Sequence, residues 1–353
     1  MSISIFSHPV LGSLFERSDI ANYFAFEADL YAMLEFEAAL ASAQADVGLF
    51  SRRVAEEIGD ACQRFQPNVE KLRQKTAVDG VIVPELIRQL KAELNEEAAD
   101  KLHFGSTSQD VVDTSLMLRL KSILSVFSAD MEKILQALSE LDHKFGDRKI
   151  FARTRLQHAY EVTVSHRIRE WSSPIRKLKS ELEFLQDKFL LVQLGGAAGD
   201  LNKLGEKGAE VRSKLAEKLQ LTDPEGCWHT DRIAISKIAL WLTNVTTAAG
   251  KLGMDISLMA VNEVSEIALS GGGGSSAMPH KQNPVVSELL MTLAYFNDCQ
   301  LSAIQTAALQ EFERSGSRWT LEWMVLPQMV MATGASLMLG NKCLQGIQEI
   351  GKD

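Results

Sequence analysis

The sequence has few prolines, and their spacing leaves long stretches free for helices. Only eight occur among 353 residues, and none lies between Pro84 and Pro174. Because proline breaks the interior of a helix, such a gap is what long uninterrupted helices require. The alternation of apolar and polar residues that marks a half-buried strand is also nearly absent. These two absences predict an all-α protein.

Cysteine is scarce and unpatterned. Four isolated residues form no C-x-x-C pair, as expected for reduced core thiols in a cytoplasmic protein; they are Cys62, Cys227, Cys299 and Cys343. The first residues, MSISIFSHPV, contain no basic segment leading into an apolar run, so we expect no secretory signal. No stretch approaches the 18 or more uncharged apolar residues of a membrane helix. We therefore expect a cytoplasmic protein without a membrane partner.

An excess of positive charge is missing as well. The formal net charge is −9, from 37 basic and 46 acidic residues. This balance argues against a nucleic-acid partner, because the phosphates would be repelled. It leaves an anionic small molecule possible, since a few cations in a cleft outweigh a distant diffuse charge. With 46% hydrophobic residues, the chain has the composition of an ordinary globular protein.

Apolar residues recur in steps of three and four, the period of a long helix. The first seam consists of Leu116, Leu120, Ile123, Phe127, Met131, Ile134, Leu138, Leu141 and Phe145. Similar helical patterns run over residues 164–191, 233–269 and 285–312. Four such helices predict a long-helix bundle. We divide the chain into an N-terminal helical domain (1–90), a central bundle domain (91–340) and a short C-terminal remnant (341–353).

Some of these helices are apolar on more than one face, as in residues 256–261 (ISLMAV). A helix of this kind must be covered by further helices, and one chain supplies too few. The sequence therefore predicts a homo-oligomer whose bundle is shared among subunits.

Three segments do not fit a plain bundle. Residues 102–110 (LHFGSTSQD) precede the first long helix, where Thr107, Ser108 or Asp110 would cap the helix and free N–H groups could hold a carboxylate. Residues 152–159 (ARTRLQHA) form a cationic interruption that we interpret as a loop, whose arginines suit an acidic ligand. Residues 270–284 (SGGGGSSAMPHKQNP) suit a flap whose backbone can approach a ligand closely.

Together these segments resemble the three signature regions of the aspartase/fumarase superfamily. The stretch GSSAMPHKQNP matches the family pattern G-S-S-x-M-P-x-K-x-N-P without a gap, and the order and spacing of all three regions agree. The resemblance implies a helical protomer that assembles into a homotetramer with active sites shared between subunits. It further implies action on a small polycarboxylate without a metal or an organic cofactor.

The resemblance also assigns roles to individual residues. It makes Ser275 and Lys281 the catalytic residues. The residues it places around the substrate are His103, Thr107, Ser108, Gln109, Thr154, Arg155, Gln157, Ser276, Asn283 and Arg314.

One departure from the family pattern bears on the reaction. Members that eliminate fumarate have a histidine where this chain has Arg155, and a guanidinium with a pKa above about 12 cannot replace it as a base. Its loss is typical of the branch of bacterial 3-carboxy-cis,cis-muconate cycloisomerases, which residues 24–44, 79–84 and 322–327 also resemble. Lactonisation in protocatechuate catabolism is therefore the expected activity. The end at Asp353 suggests that the family's C-terminal domain is missing or reduced.

Five other interpretations can be considered. The chain could be a fumarate-releasing lyase such as adenylosuccinate lyase, whose flap also reads M-P-H-K, or a cycloisomerase of a sulfonated muconate. A metal-binding bundle would need a second copy of the Glu-x-x-His motif at Glu140 and His143, and the sequence has one. A catalytically silent relative conflicts with the intact set of Ser275, Lys281 and Asn283. A phosphate-binding loop lacks its motif.

Overall fold

The computed structural model describes residues 4–270, 273–274 and 282–352. The α-helices of this part are α1 (Ser18–Ala21), α2 (Phe26–Asp46), α3 (Arg52–Arg64), α4 (Val69–Asp79), α5 (Val83–Lys91), α6 (Glu96–Lys101), α7 (Ser108–Phe145), α8 (Val164–Phe189), α9 (Gly208–Leu219), α10 (Ile233–Met259), α11 (Val285–Ala307) and α12 (Gly316–Gln345). Its strands are β1 (Lys149–Thr154), β2 (Gln157–Thr163), β3 (Ile267–Leu269), β4 (Gly273–Gly274), β5 (Gln282–Asn283) and β6 (Ile347–Ile350). Short 3₁₀ helices cover Ile5–Ser7, Leu11–Leu14, Asn22–Phe24 and Asn202–Lys207.

Five long helices, α7, α8, α10, α11 and α12, pack against one another as a bundle, and the shorter helix α2 packs on α7. The seam predicted on α7 faces the core, because every member from Leu120 to Phe145 is buried. The all-α long-helix fold is thus confirmed. The division into domains stays a prediction, although α12 continues to Gln345, past the proposed boundary at residue 340.

Two predicted helices end early, and one long helix was not predicted. The third pattern stops at Met259 rather than at residue 269, because Ile267–Leu269 pairs as β3 with β6. A short apolar run serves a strand as well as a helix, so periodicity cannot distinguish them. The fourth pattern ends at Ala307 rather than at residue 312. The unpredicted helix is α12, 30 residues long.

The segment interpreted as a loop is a β-hairpin. Strands β1 and β2 pair from Lys149↔Thr163 to Thr154↔Gln157, which leaves a two-residue turn. Both turn residues are left-handed, with φ of 50° at Arg155 and 65° at Leu156. Such turns usually carry Asn or Gly. Arginine and leucine give no hairpin signal, which explains why the loop interpretation was wrong.

Helix α12 also corrects the expectation about apolar stretches. It is long and apolar enough to cross a membrane by length and composition, with a mean hydropathy of 1.3, although 67% of the apolar window is buried inside the protein. It is the single helix of the described residues that passes this test. A core helix meets the same criterion, and α12 packs on α7, α10 and α11. Its composition is therefore accounted for by packing.

The bundle places different segments at its two ends. One end of the bundle, which we call end A, carries the start of α7. Helices α8 and α11 end there, and α10 and α12 begin there. There Asp110 contacts Gly195 and Gln109 contacts His229. End B carries the finish of α7, with the hairpin, β3 and β6, where Lys149 pairs with Lys352.

Candidate active site

The start of α7 forms the floor of the candidate site at end A. Thr107 caps the helix through a capping box, in which its side chain and that of Asp110 each accept a backbone N–H of the other residue. The amide of Thr107 donates to Asp110 Oδ2 at 3.0 Å. Ser108, the first residue of the helix, is half-buried beside this cap. A helix N-terminus favours anions, so this floor suits a carboxylate.

Asp110 connects α7 to a second backbone segment. Its carboxylate is fully buried and accepts the amides of Gly195 at 2.9 Å and Gly196 at 3.0 Å. Gly196 has a φ of 70°, and a Cβ there would lie 2.9 Å from the carbonyl oxygen of Gly105. A glycine is therefore required where this segment approaches the turn before α7.

His229 also pairs with the carboxylate of Asp110. Its Nε2 lies 2.7 Å from Asp110 Oδ1, and the ring is 1% exposed. Burial alone would lower the pKa of His229, but its interactions with Asp110 and with Cys227 more than offset it and raise the pKa to about 9. The two groups therefore form a buried ion pair at neutral pH.

Arg314 closes the rim of the site from the segment between α11 and α12. Its guanidinium donates to Thr107 Oγ1 at 2.9 Å, and to the carbonyl oxygens of Gly196 at 3.2 Å and Ala197 at 3.1 Å. The side chain is exposed. An exposed guanidinium at a helix N-terminus places two sources of positive potential side by side, as a polyanion requires.

Two further predicted residues occupy end A in different ways. His103 is half-buried, with Nδ1 2.6 Å from Glu37 Oε1. Gln109 is fully buried and donates to His229 O at 2.8 Å and to Asp113 Oδ2 at 3.2 Å. Its amide is bound to the protein in this structure, so its predicted contact with substrate stays a prediction.

The remaining predicted residues that are described lie at end B. Thr154, Arg155 and Gln157 are exposed at the tip of the hairpin. Asn283 lies in β5, where it pairs with Gly273 just before α11. The hairpin is held to this end by Glu266, which accepts from the amide of Phe151 at 3.0 Å. Three predicted residues lie outside the described residues, namely Ser275, Ser276 and Lys281.

One chain cannot bring the two groups together. Helix α7 has 38 residues, so at 1.5 Å per residue it separates its ends by about 57 Å. The nine residues from Phe145 to Thr154 can return by no more than about 30 Å at 3.3 Å each. Thr154 therefore lies at least about 27 Å from Thr107. Within one chain, the predicted site residues that are described therefore lie in two separate groups.

Three contributors to end A were missed in the sequence. Glu37 and His229 lie far from the signature regions in sequence, and their roles depend on contacts across the fold. The stretch GGAAG at residues 195–199 carried a usable signal, because clustered glycines after a helical pattern indicate a loop.

The buried pair of His229 and Asp110 predicts a pH dependence of stability. Its pKa of about 9 in the folded protein exceeds the usual histidine value of 6.5. The stabilisation is therefore complete below pH 6.5 and is lost as the pH rises to about 9. Because glutamine does not titrate, the stability difference between wild type and His229→Gln should shrink by about 1–3 kcal/mol between pH 6 and 9.5. Urea unfolding at both pH values measures it. A difference that stays constant would contradict the charged pair.

Comparison with known proteins identifies the family. Residues 16–296 match the family described as Lyase. The chain belongs to the lyase family of the aspartase/fumarase superfamily. It is 35% identical to 3-carboxy-cis,cis-muconate cycloisomerase of Bradyrhizobium diazoefficiens over 86% of this chain and 69% of that protein. The crystal structure of 3-carboxy-cis,cis-muconate lactonizing enzyme from Pseudomonas putida superposes with a TM-score of 0.89 at 34% identity, over 97% of this chain and 78% of the other.

Other similar lyases have different names. Nitrosuccinate lyase of Streptomyces davaonensis is 30% identical over 90% of this chain and 70% of its own length. The comparisons therefore show an enzyme of the lyase and cycloisomerase type, and they support a small carboxylate as its substrate.

Proposed function

We propose that this enzyme lactonises 3-carboxy-cis,cis-muconate to 4-carboxymuconolactone. The observation that carries the proposal is Arg155, which stands at the exposed tip of the hairpin where eliminating relatives have a histidine. A guanidinium cannot remove a proton from carbon at neutral pH. A lactonising enzyme needs no such base, because its nucleophile is an ionised carboxylate of the substrate. The cycloisomerase names of similar proteins support the same reaction.

The chemistry needed is mainly the fixing of a conformation. One substrate carboxylate attacks the conjugated double bond and closes a five-membered ring, and the electrons move onto the neighbouring carboxylate as an enolate-like aci-acid. Attack within one molecule gains most from orientation and from stabilisation of the new charge. Arg314 and the start of α7 supply positive potential at end A. Lys281 and Asn283 are proposed for the same task from the flap.

We further propose that the active site is completed by other copies of the chain in a homotetramer. The separation of Thr107 from Thr154 by at least about 27 Å supports this. So does the face of α10 and α11 that one chain leaves uncovered, with Met254 42%, Leu258 44% and Tyr295 61% exposed. A second copy would bury these side chains and bring an end B to an end A.

Ultraviolet spectroscopy tests the proposed reaction directly. Loss of the diene absorbance of 3-carboxymuconate is expected, with no turnover of adenylosuccinate, argininosuccinate or nitrosuccinate. The rate should be the same after exhaustive dialysis against EDTA, because the described residues contain no group of three or more His, Cys, Asp or Glu that could hold a metal ion. Release of fumarate without diene loss would favour the eliminating alternative, and a rate restored only by a divalent ion would contradict cofactor independence.

Arg155 should tolerate replacement by large neutral residues. In Arg155→Gln and Arg155→Trp we expect kcat within about threefold of wild type and KM raised by up to about tenfold, because the guanidinium attracts substrate without exchanging a proton. Steady-state kinetics on 3-carboxymuconate measure both constants. A fall of several thousandfold in kcat at unchanged KM would place Arg155 in the chemical step, and the mechanism would have to be abandoned.

A further inference from the structure

Glu37 is a buried carboxylate that the proposed mechanism has not used. It lies within α2 and is 1% exposed. Its Oε2 has no hydrogen-bond partner among the described residues, and its Oε1 lies 2.6 Å from Nδ1 of His103. Burying a carboxylate costs several kcal/mol unless its partners compensate. The Glu37 carboxylate is buried despite this cost and has one polar partner, which indicates that it acts through His103.

His103 has the geometry of an oriented acid. It is left-handed, with a φ of 62°, in the turn that leads to Thr107. A non-glycine residue in this conformation is uncommon, and such conformations are concentrated at functional sites. The side chain is 19% exposed. Because Nδ1 is bound to the buried Glu37, Nε2 is the ring nitrogen that is left to exchange a proton with a ligand.

We propose that His103, oriented by Glu37, donates the proton that completes lactonisation; this inference rests on the proposed function. Ring closure forms a C–O bond, and the π electrons of the attacked C=C bond move onto the conjugated carboxylate. The electron pair then returns to carbon, which takes the proton from Nε2 of the imidazolium and forms a C–H bond. Neutral His103 regains a proton from water. Each turnover consumes one solvent proton and leaves the enzyme unchanged.

The surroundings favour the protonated form of His103. Burial by itself would lower the pKa of His103, but the Glu37 carboxylate together with Asp110 more than offsets it, so the pKa is raised. The charged groups that act on the ring are Glu37 from α2, Asp110 from α7 and Lys91 from α5. The first two favour the imidazolium and the third opposes it.

Replacement of the acid should reduce kcat much more than it changes KM. His103→Asn is the better variant, because asparagine tolerates left-handed φ and cannot donate a proton at this pH. We expect kcat on 3-carboxymuconate to fall by about 100-fold or more, the usual contribution of a general acid, with KM within about threefold. A folded variant that retains kcat within about threefold would overturn the proposal.

The variant Glu37→Gln tests whether His103 acts as a proton donor or has only a structural role. Without the carboxylate charge, the pKa of His103 should fall. The pH above which kcat declines should therefore be lower than in wild type by about one unit or more, and in mild acid kcat should recover toward the wild-type value. The matched control is Gln44→Leu. Gln44 is fully buried and donates to the carbonyl oxygen of Phe104 at 2.6 Å, so its loss loosens the same turn without touching the ring. This control should lower stability and leave the pH profile in place.

A readout without turnover keeps this inference distinct from the proposed function. Histidine-selective NMR should show the imidazole of His103 titrating at lower pH in Glu37→Gln than in wild type. If wild type fails to act on 3-carboxymuconate, the proposed function fails and the titration still tests the pair. If wild type is active, an unmoved titration, or equal pH profiles for Glu37→Gln and Gln44→Leu, would overturn the role of His103 as donor.

Discussion

Replacing Arg232 with methionine is expected to lower the free energy of unfolding by about 3–5 kcal/mol, because it leaves two buried carboxylates without their cation. The side chain of Arg232 is 0% exposed. Its guanidinium donates to Asp113 Oδ2 at 2.7 Å and Oδ1 at 3.1 Å, and to Glu322 Oε1 at 2.9 Å and Oε2 at 2.6 Å. Burial already raises the pKa of Glu322. In the variant this carboxyl should become protonated on folding.

Urea denaturation at pH 7 measures the change. The matched control is Arg73→Met, which removes an arginine from an exposed pair with Glu70. Such a pair is screened by water, so no measurable change is expected. Equal losses in both variants would show that the effect is not due to the buried charges. A folded Arg232→Met with wild-type stability would contradict the reasoning outright.

Mixing two impaired variants is expected to restore activity if each site combines end A of one chain with end B of another. Arg314→Met removes the guanidinium at end A, and Lys281→Met removes a proposed catalytic residue that immediately precedes β5 in the sequence. On the proposed roles, each variant should lose at least about tenfold in kcat/KM. In randomly reassembled tetramers, each half of a site has an even chance of being intact. About a quarter of wild-type activity should therefore return.

The control pairs two variants of the same end. Arg314 donates to Thr107 within one chain, so a mixture of Arg314→Met with Thr107→Val offers no site with an intact end A. No recovery is expected there. Absence of recovery in the first mixture, with subunit exchange verified by mass spectrometry of labelled chains, would contradict shared sites.

Most of the long helices, and the three segments that resemble the family's signature regions, were readable in the sequence. The seam of α7 was predicted residue by residue, because a helix packed along its length must repeat its apolar contacts every three to four positions. The start of α7 was readable to within a few residues, because the sequence offered Thr107, Ser108 and Asp110 as capping residues and the structure selects Thr107. These are local constraints, and composition and spacing record them directly.

What the sequence by itself determined was therefore the helical class, the family and the three segments that resemble its signature regions. The tertiary structure alone decided which of them meet. It joined Arg314 to Thr107, placed Thr154 at the far end of α7 and formed the 155–156 turn without a usual turn residue. The pairs His229–Asp110 and His103–Glu37 were likewise decided by the tertiary structure alone. Each links side chains more than 60 positions apart, and the packing of long helices brings them together where no local pattern could.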